Sequence, residues 1–122
     1  MSLVNAIIGG NGQPEPEVGM GATICMYSDR SPVEIVEVVR FASGAKKGEI
    51  RGVRVRAMKW EIVKGSEHDG SAVYKYESNP EAPVARRMYV RDGRGRYVEA
   101  GTGGRGNRLS IGNAERYYDP HF

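Results

Sequence analysis

The stretch 86–108 concentrates groups that can bind phosphate. It contains seven arginines and six glycines but only two acidic residues. A guanidinium group binds phosphate through two parallel hydrogen bonds, and glycine lets a ligand come close to the backbone. Tyrosines in the same stretch would offer rings on which nucleobases stack. The stretch therefore suggests a surface for single-stranded DNA or RNA, formed by Arg86, Arg87, Tyr89, Arg91, Arg94, Arg96, Tyr97 and Arg105.

The same arginines also suit a role in solubility alone. Charged side chains on the outer face of a hairpin keep an edge strand from pairing with other chains. Nothing in the residue types separates this interpretation from the nucleic-acid surface, so both stay open.

A second candidate site is the segment Tyr27-Ser28-Asp29-Arg30, which lies between two apolar runs. Tyr27 could stack on a ligand while the Arg30 guanidinium binds its phosphate. Alternatively, Ser28 or Asp29 accepts hydrogen bonds from backbone amides and the segment is simply a turn. We predict that Tyr27, Ser28, Asp29 and Arg30 bind a phosphate-bearing ligand. The supporting cations in this prediction are Arg54, Arg56 and Arg108.

Catalytic and metal-binding patterns are weak in this chain. His68 and Asp69 are neighbours in a polar loop, and His121 is next to the last residue. No metal-ligand spacing, glycine-rich loop leading into a helix or nucleophile motif is present. The single cysteine, Cys25, lies in an apolar run, which indicates a buried and inert thiol. We therefore expect a protein that is not an enzyme and needs no cofactor or metal.

Length and composition point to one globular domain. A chain of 122 residues with 39% hydrophobic residues is long enough for a single core and too apolar to be fully disordered. Residues 1–45 carry a net charge of −3, whereas residues 46–122 carry +6. The N-terminal residues have no basic start and no long apolar run, so we expect neither a signal peptide nor a membrane span. A cytoplasmic protein with no membrane partner is the resulting expectation.

The hydrophobic pattern predicts an all-β fold. Short β-branched or aromatic runs are separated by turn residues about every ten positions, which is typical of an antiparallel sheet curled into a small barrel of SH3-like size. The glycine- and proline-rich residues 1–21 are predicted to be a flexible leader, and residues 22–122 a single β-rich domain. The predicted strands are 22–27, 33–40, 50–57, 58–64, 72–77, 84–91, 96–100 and 108–111.

Several local features refine this prediction. The alternation of apolar residues changes phase near Arg56–Ala57, which predicts a bulge or bend. Residues 43–48 are predicted to be a hairpin loop, and Asp92-Gly93 predicts a hairpin over 84–100. Trp60, which shares a predicted face with Met58 and Ile62, is expected in the core.

The C-terminal residues are unusually aromatic. Residues 113–118 are predicted to form a helical turn, and residues 117–122 carry three aromatic side chains. Solvated tails seldom keep so many, so the tail is expected to dock on its own sheet or on a neighbouring subunit. The second possibility leads us to expect a homo-oligomer.

Together these motifs resemble a known group of sequences. Gly19-Met20-Gly21-Ala22-Thr23-Ile24 is followed by Tyr-Ser-Asp-Arg at 27–30, and the chain ends in Tyr-Tyr-Asp-x-x-Phe at 117–122. Between them stand Gly95-Arg96-Tyr97-Val98 and Arg108-Leu109-Ser110-Ile111-Gly112. The pattern resembles an uncharacterised family of small proteins of tailed bacteriophages and prophages, although residues 58–71 depart from it.

The resemblance implies a setting rather than residue roles. It implies a phage protein acting in the cytoplasm of a bacterial host. There we expect it to capture a phosphate-bearing ligand, such as a nucleotide signal of a host defence system. The alternatives are a protein that binds single-stranded DNA or RNA and an inhibitor that binds a host protein.

Overall fold

The computed structural model describes residues 13–117, which form eight β-strands. They are β1 (Gly21–Cys25), β2 (Arg30–Arg40), β3 (Ile50–Ala57), β4 (Lys59–Lys64), β5 (Val73–Glu77), β6 (Tyr89–Arg91), β7 (Tyr97–Glu99) and β8 (Arg108–Ile111). Each overlaps a strand predicted from the sequence, so the all-β prediction is confirmed. The sixth strand is shorter than predicted, because Val84 makes only an isolated bridge to Arg56.

Six of the strands close into an antiparallel barrel. The order around the barrel is β1-β2-β3-β6-β7-β8, and β8 pairs with β1 to complete the ring. Closure leaves no unpaired edge in this sheet. The remaining two strands, β4 and β5, pair only with each other and form a separate two-stranded ribbon.

The barrel is filled by side chains that alternate along its strands. Ile35, Val53 and Val55 are fully buried, as period-2 alternation requires of residues on the inner face. The other members of the core are Ala22, Val33, Ile50, Tyr89, Tyr97, Leu109 and Ile111. Gly52 faces away from this core, where β3 approaches β6 closely. A Cβ atom at this position would lie 2.4 Å from the carbonyl oxygen of Tyr89.

The chain leaves the barrel where the alternation changes phase. β3 ends at Ala57, the amide of Met58 donates to the carbonyl of Pro32 at 3.1 Å, and β4 begins at Lys59. The predicted bend is therefore present. Its consequence was not foreseen: Trp60 and Ile62 are 39% and 40% exposed. The prediction that they belong to the core is wrong, because within residues 13–117 no second sheet packs on the ribbon.

Both predicted hairpin connections are present. Residues 41–49 join β2 to β3, and the amide of Gly48 donates to the carbonyl of Phe41 at 2.9 Å. In the β6–β7 turn, one carboxylate oxygen of Asp92 accepts from the amides of Arg94 and Arg96, both at 2.9 Å. These hydrogen bonds lower the pKa of Asp92 below its ordinary value of 3.8, and the one from the amide of Arg96 has the largest effect.

The described residues before β1 contact the barrel. Pro16 is buried, and the amide of Ile111 donates to the side-chain oxygen of Gln13 at 2.6 Å. The amide of Gly19 donates to the carbonyl of Ile35 at 2.9 Å. Packed structure thus begins before Ala22, the predicted start of the domain. The first twelve residues of the predicted leader lie outside the described residues.

The C-terminal segment follows β8 as extended chain. Residues 113–116 form no helical turn, so that prediction is wrong for them. The hydroxyl of Thr23 donates to the carbonyl of Asn113 at 2.6 Å, and Tyr117 bridges to Arg30. The docking of the tail on its own sheet is confirmed for Tyr117, whereas 118–122 of the predicted tail, including His121, lie outside the described residues. In the part of the chain described, no helix is long and apolar enough to cross a membrane.

Candidate functional site

A row of four side chains crosses the outer face of the barrel. Tyr117 pairs with Arg30, Arg30 with Cys25, and Cys25 with Arg108, each directly opposite the next. Residues opposite one another in an antiparallel sheet share a face, and their Cβ atoms lie about 5 Å apart. Ile24 packs against the core, so its neighbour Cys25 and the rest of the row face outward. Arg30 and Arg108 are therefore separated by two strand spacings, about 10 Å.

The predicted Tyr27–Arg30 segment is the turn at one end of this row. The amide of Met26 donates to the carbonyl of Asp29 at 2.9 Å and closes the turn between β1 and β2. Tyr27 projects from it with 93% of its surface exposed. A shallow groove of about 210 Å³ lies here, lined by Met26, Tyr27, Ser28, Asp29, Arg30 and Tyr117. We call this turn together with the row the groove face.

The two arginines of the groove face differ in their contacts. The Nη1 atom of Arg30 lies 3.2 Å from the Oε1 atom of Glu115, and both side chains are about half exposed. Arg108 is exposed, and no residue in the range 13–117 forms an ion pair with it. One cation of the groove face thus already contacts a carboxylate, while the other has no acidic partner among residues 13–117.

Arg54 and Arg56 do not reach the groove face. Arg54 pairs with Glu37 at 3.2 Å and Arg56 with Glu34 at 3.7 Å, across the outer faces of β2 and β3. The structure therefore brings together the predicted residues of 27–30 and places Arg108 in the adjoining row. Arg54 and Arg56 have acidic partners of their own and line none of the groove.

The two tyrosines of the predicted nucleic-acid surface are buried. Tyr89 and Tyr97 are only 4% and 3% exposed, because both point into the barrel. Burial, helped by the nearby charge of Glu99, raises the pKa of Tyr89 to about 12. The prediction that these rings stack on bases is wrong.

The arginines of the same predicted surface divide into two that hold the structure together and four that are exposed. The Nε atom of Arg96 donates to Asp92 at 2.9 Å, and Arg87 donates to the carbonyl of Ala100, also at 2.9 Å. Both therefore hold the chain around β6 and β7 together. The remaining four are exposed and lie on β6 and on three different loops: Arg86, Arg91, Arg94 and Arg105.

An aromatic cluster on the ribbon was missed at the level of sequence. The guanidinium of Arg116 lies 3.7 Å from the centre of the Trp60 ring, and its Nε atom donates to Glu67 at 2.9 Å. Tyr74 meets Trp60 edge to face with ring centres 5.5 Å apart, and its hydroxyl donates to Glu67. The amide of Arg116 donates to the hydroxyl of Tyr76 at 2.8 Å.

These contacts change the acidity of the groups involved. The hydrogen bonds from Tyr74 and Arg116 lower the pKa of Glu67, while burial and Glu67 raise the pKa of Tyr74. A groove of about 350 Å³ lies beside the cluster and is lined in part by Tyr74, Tyr76 and Tyr117. The spacing of Tyr74 and Tyr76, two positions apart, was the available sign that aromatic rings share a face of the ribbon.

Comparison of the chain with protein-family models, curated proteins and solved structures finds no match. Among residues 13–117, no three His, Cys, Asp or Glu side chains are grouped closely enough to hold a metal ion. The chemistry of the groove face is that of two guanidinium groups beside two exposed tyrosines.

Proposed function

We propose that this protein binds a phosphate-bearing ligand of the nucleotide type on its groove face. The observation that carries the proposal is the outward row in which Arg30 and Arg108 flank Cys25. Tyr27 and Tyr117 lie beside the same groove and are 93% and 47% exposed. Cations for phosphate and rings for a base thus occur on one surface.

The dimensions of the groove face limit the way in which a ligand is held. Two long arginine side chains rooted about 10 Å apart can converge on one phosphate or bind two successive ones. Stacking of one base on a tyrosine contributes about 1–3 kcal/mol. The groove of about 210 Å³ is smaller than a typical ligand pocket of about 300–1,000 Å³. The ligand therefore stays partly exposed, and its affinity depends on charge and stacking rather than on enclosure.

The resemblance to phage proteins supplies the biological context of the proposal. A small non-enzymatic phage protein in a bacterial cytoplasm could bind a nucleotide signal of a host defence system and so lower its free concentration. In this proposal Arg30 and Arg108 bind the phosphate, and Tyr27 stacks on the base.

A single-stranded nucleic acid is the second candidate ligand. The groove face is open, and its row of side chains continues across neighbouring strands, so a chain of nucleotides could lie along it. The burial of Tyr89 and Tyr97 argues against the larger arginine–glycine surface. This candidate therefore uses the same residues as the first, and it differs in the salt dependence that it requires.

The test is calorimetric titration with AMP, ATP, cyclic dinucleotides and a short single-stranded oligonucleotide. We expect Arg30→Ala and Arg108→Ala each to weaken nucleotide binding about tenfold, since each removes a charge-assisted contact. Arg105→Ala is the matched control, because it removes an exposed arginine that lies outside the row. Its affinity should stay within about twofold of the wild type.

The outcomes separate the two candidates. Absence of binding to every nucleotide and to the oligonucleotide by a folded sample overturns both. Equal affinity in wild type, Arg30→Ala and Arg108→Ala rejects the groove face as the site. Tighter binding to the oligonucleotide, with an affinity that falls steeply with salt, favours the nucleic-acid candidate.

A further inference from the structure

The carboxylate of Glu115 binds the cation that the proposed ligand needs. Its Oε1 atom lies 3.2 Å from Nη1 of Arg30, which lines the groove beside Tyr27, whereas Glu115 itself lines the neighbouring groove beside Tyr74. Carboxylate and phosphate oxygens are acceptors of the same class for a guanidinium group. We propose that Glu115 is a built-in competitor of the ligand, whose carboxylate must leave Arg30 before phosphate binds there. This inference rests on the proposed function.

The contact has the properties of an exchangeable one. The side chains of Arg30 and Glu115 are 52% and 46% exposed, and one nitrogen–oxygen pair joins them. Exposed ion pairs of this kind contribute little to stability, whereas phosphate carries more charge and can bind a guanidinium through two hydrogen bonds. Phosphate can therefore replace the carboxylate without unfolding any part of the barrel.

The neighbours of Glu115 keep it within reach of Arg30. The amide and carbonyl of Tyr117 bond with the carbonyl and amide of Arg30 at 3.0 and 2.9 Å. Arg116, which lies between Glu115 and Tyr117 in the chain, is fastened to Trp60 and Glu67 of the ribbon. Because the two residues that follow it are anchored, Glu115 competes at the high effective concentration of an intramolecular group.

The test uses AMP and inorganic phosphate as probes in calorimetric titrations of the full chain. We expect Glu115→Gln to bind AMP about threefold to tenfold more tightly than the wild type, because the competitor is gone. Glu61→Gln is the matched control. It also removes one exposed negative charge, but its side chain is on the ribbon and does not contact Arg30.

A double-mutant cycle shows whether Glu115 acts through Arg30. In an Arg30→Gln background, Glu115→Gln should have no further effect on affinity. A gain of the same size in that background, or in Glu61→Gln, would mean that overall charge alone is responsible and would overturn the inference. Arg116→Ala, which loosens one anchor of the segment, should give a smaller gain than Glu115→Gln.

The two proposals fail in different ways. If wild type binds AMP and Glu115→Gln binds it equally well, this inference is wrong while the proposed function stands. If neither protein binds phosphate, any of the nucleotides or the oligonucleotide of the first test, the proposed function is wrong and the inference falls with it. Binding by Glu115→Gln alone supports both.

Discussion

The guanidinium of Arg116 lies over the ring of Trp60, with 3.7 Å between its central carbon and the ring centre. The same side chain donates to the carboxylate of Glu67 at 2.9 Å. A two-stranded ribbon is only marginally stable by itself. Arg116 therefore fastens the ribbon formed by β4 and β5 to the C-terminal segment, which in turn pairs with β2.

Removal of this guanidinium should loosen the ribbon. In Arg116→Ala we expect the ribbon to lose about 1 kcal/mol of stabilisation, because the cation–π contact with Trp60 is gone. Trp60 is the single tryptophan, so a red shift of its fluorescence reports directly on this ring. Faster hydrogen exchange of the β4 and β5 amides is the second readout. Lys64→Ala is the control, since it removes an exposed cation of the same ribbon without touching Trp60, and unchanged emission in Arg116→Ala would contradict the prediction.

The close approach of β3 and β6 should make Gly52 intolerant of any side chain. A Cβ atom there would lie 2.4 Å from the carbonyl oxygen of Tyr89 and 3.1 Å from the Cα atom of Val90. Backbone atoms cannot move aside cheaply, so we expect Gly52→Ala to lower the free energy of unfolding by about 2–3 kcal/mol. Gly93→Ala, whose new Cβ atom would meet nothing within 4 Å, is the matched control. Urea denaturation compares the two, and equal midpoints would refute the prediction.

The β6–β7 turn should contribute a pH-dependent part of the stability through Asp92. Its folded pKa is held below 3.8 by hydrogen bonds from the backbone amides of Arg96 and Arg94 and from the Arg96 side chain. An aspartate whose pKa is lower in the folded state stabilises the protein at pH values above its ordinary pKa. This stabilisation is lost as the pH falls through the pKa of the folded state. Asp92→Asn should therefore be less stable than the wild type at neutral pH.

In acid the difference in stability between Asp92→Asn and the wild type should disappear, because protonated Asp92 no longer carries the charge that Arg96 binds. The measurement is the urea midpoint of both proteins from neutral pH to below 3.8, the ordinary value for the aspartate. A constant difference between the two urea midpoints over the whole pH range would show that the charge of Asp92 does not contribute to stability.

Tyr89 should make the barrel sensitive to alkali. Its pKa is raised from 10.0 to about 12, chiefly by burial, so the folded state resists loss of the phenolic proton. The stability that this gives is complete below pH 10.0 and is lost as pH rises through about 12. Tyr89→Phe has no proton to lose at this position and should show a shallower fall of the urea midpoint over that range.

Tyr27→Phe is the comparison for this experiment, because its ring is 93% exposed and its replacement should leave the alkaline profile of the wild type unchanged. Tyr97 is also buried, with a raised pKa, so some alkaline sensitivity remains in Tyr89→Phe. Identical profiles for wild type and Tyr89→Phe would show that ionisation of Tyr89 does not drive alkaline unfolding.

The strands and their turns were readable from the sequence because they depend on neighbouring residues. Alternation such as that of Val53 and Val55 with the arginines between them marks a strand with one buried face. Asp92-Gly93 marks a tight connection for the same local reason. These patterns predicted strands at all eight positions and the bend after β3.

The side of the sheet on which an aromatic residue lies was harder to predict. Tyr89 and Tyr97 stand among arginines, which suggested an outer surface, yet both rings fill the barrel. Trp60 showed the opposite error, since its apolar neighbours suggested the core while the ribbon on which it lies is exposed. Alternation assigns residues to two faces, but only packing against other strands decides which face is buried.

The sequence by itself determined that the chain forms short antiparallel strands, and it singled out Tyr27–Arg30 as a segment rich in polar and aromatic groups. Tertiary structure alone decided that β8 closes on β1, which places Arg108 in one row with Arg30, and that Glu115 meets Arg30 from the far end of the chain. The physical reason is sequence separation. Turns and alternation arise from residues close together in the chain, whereas barrel closure depends on how all six strands share one core.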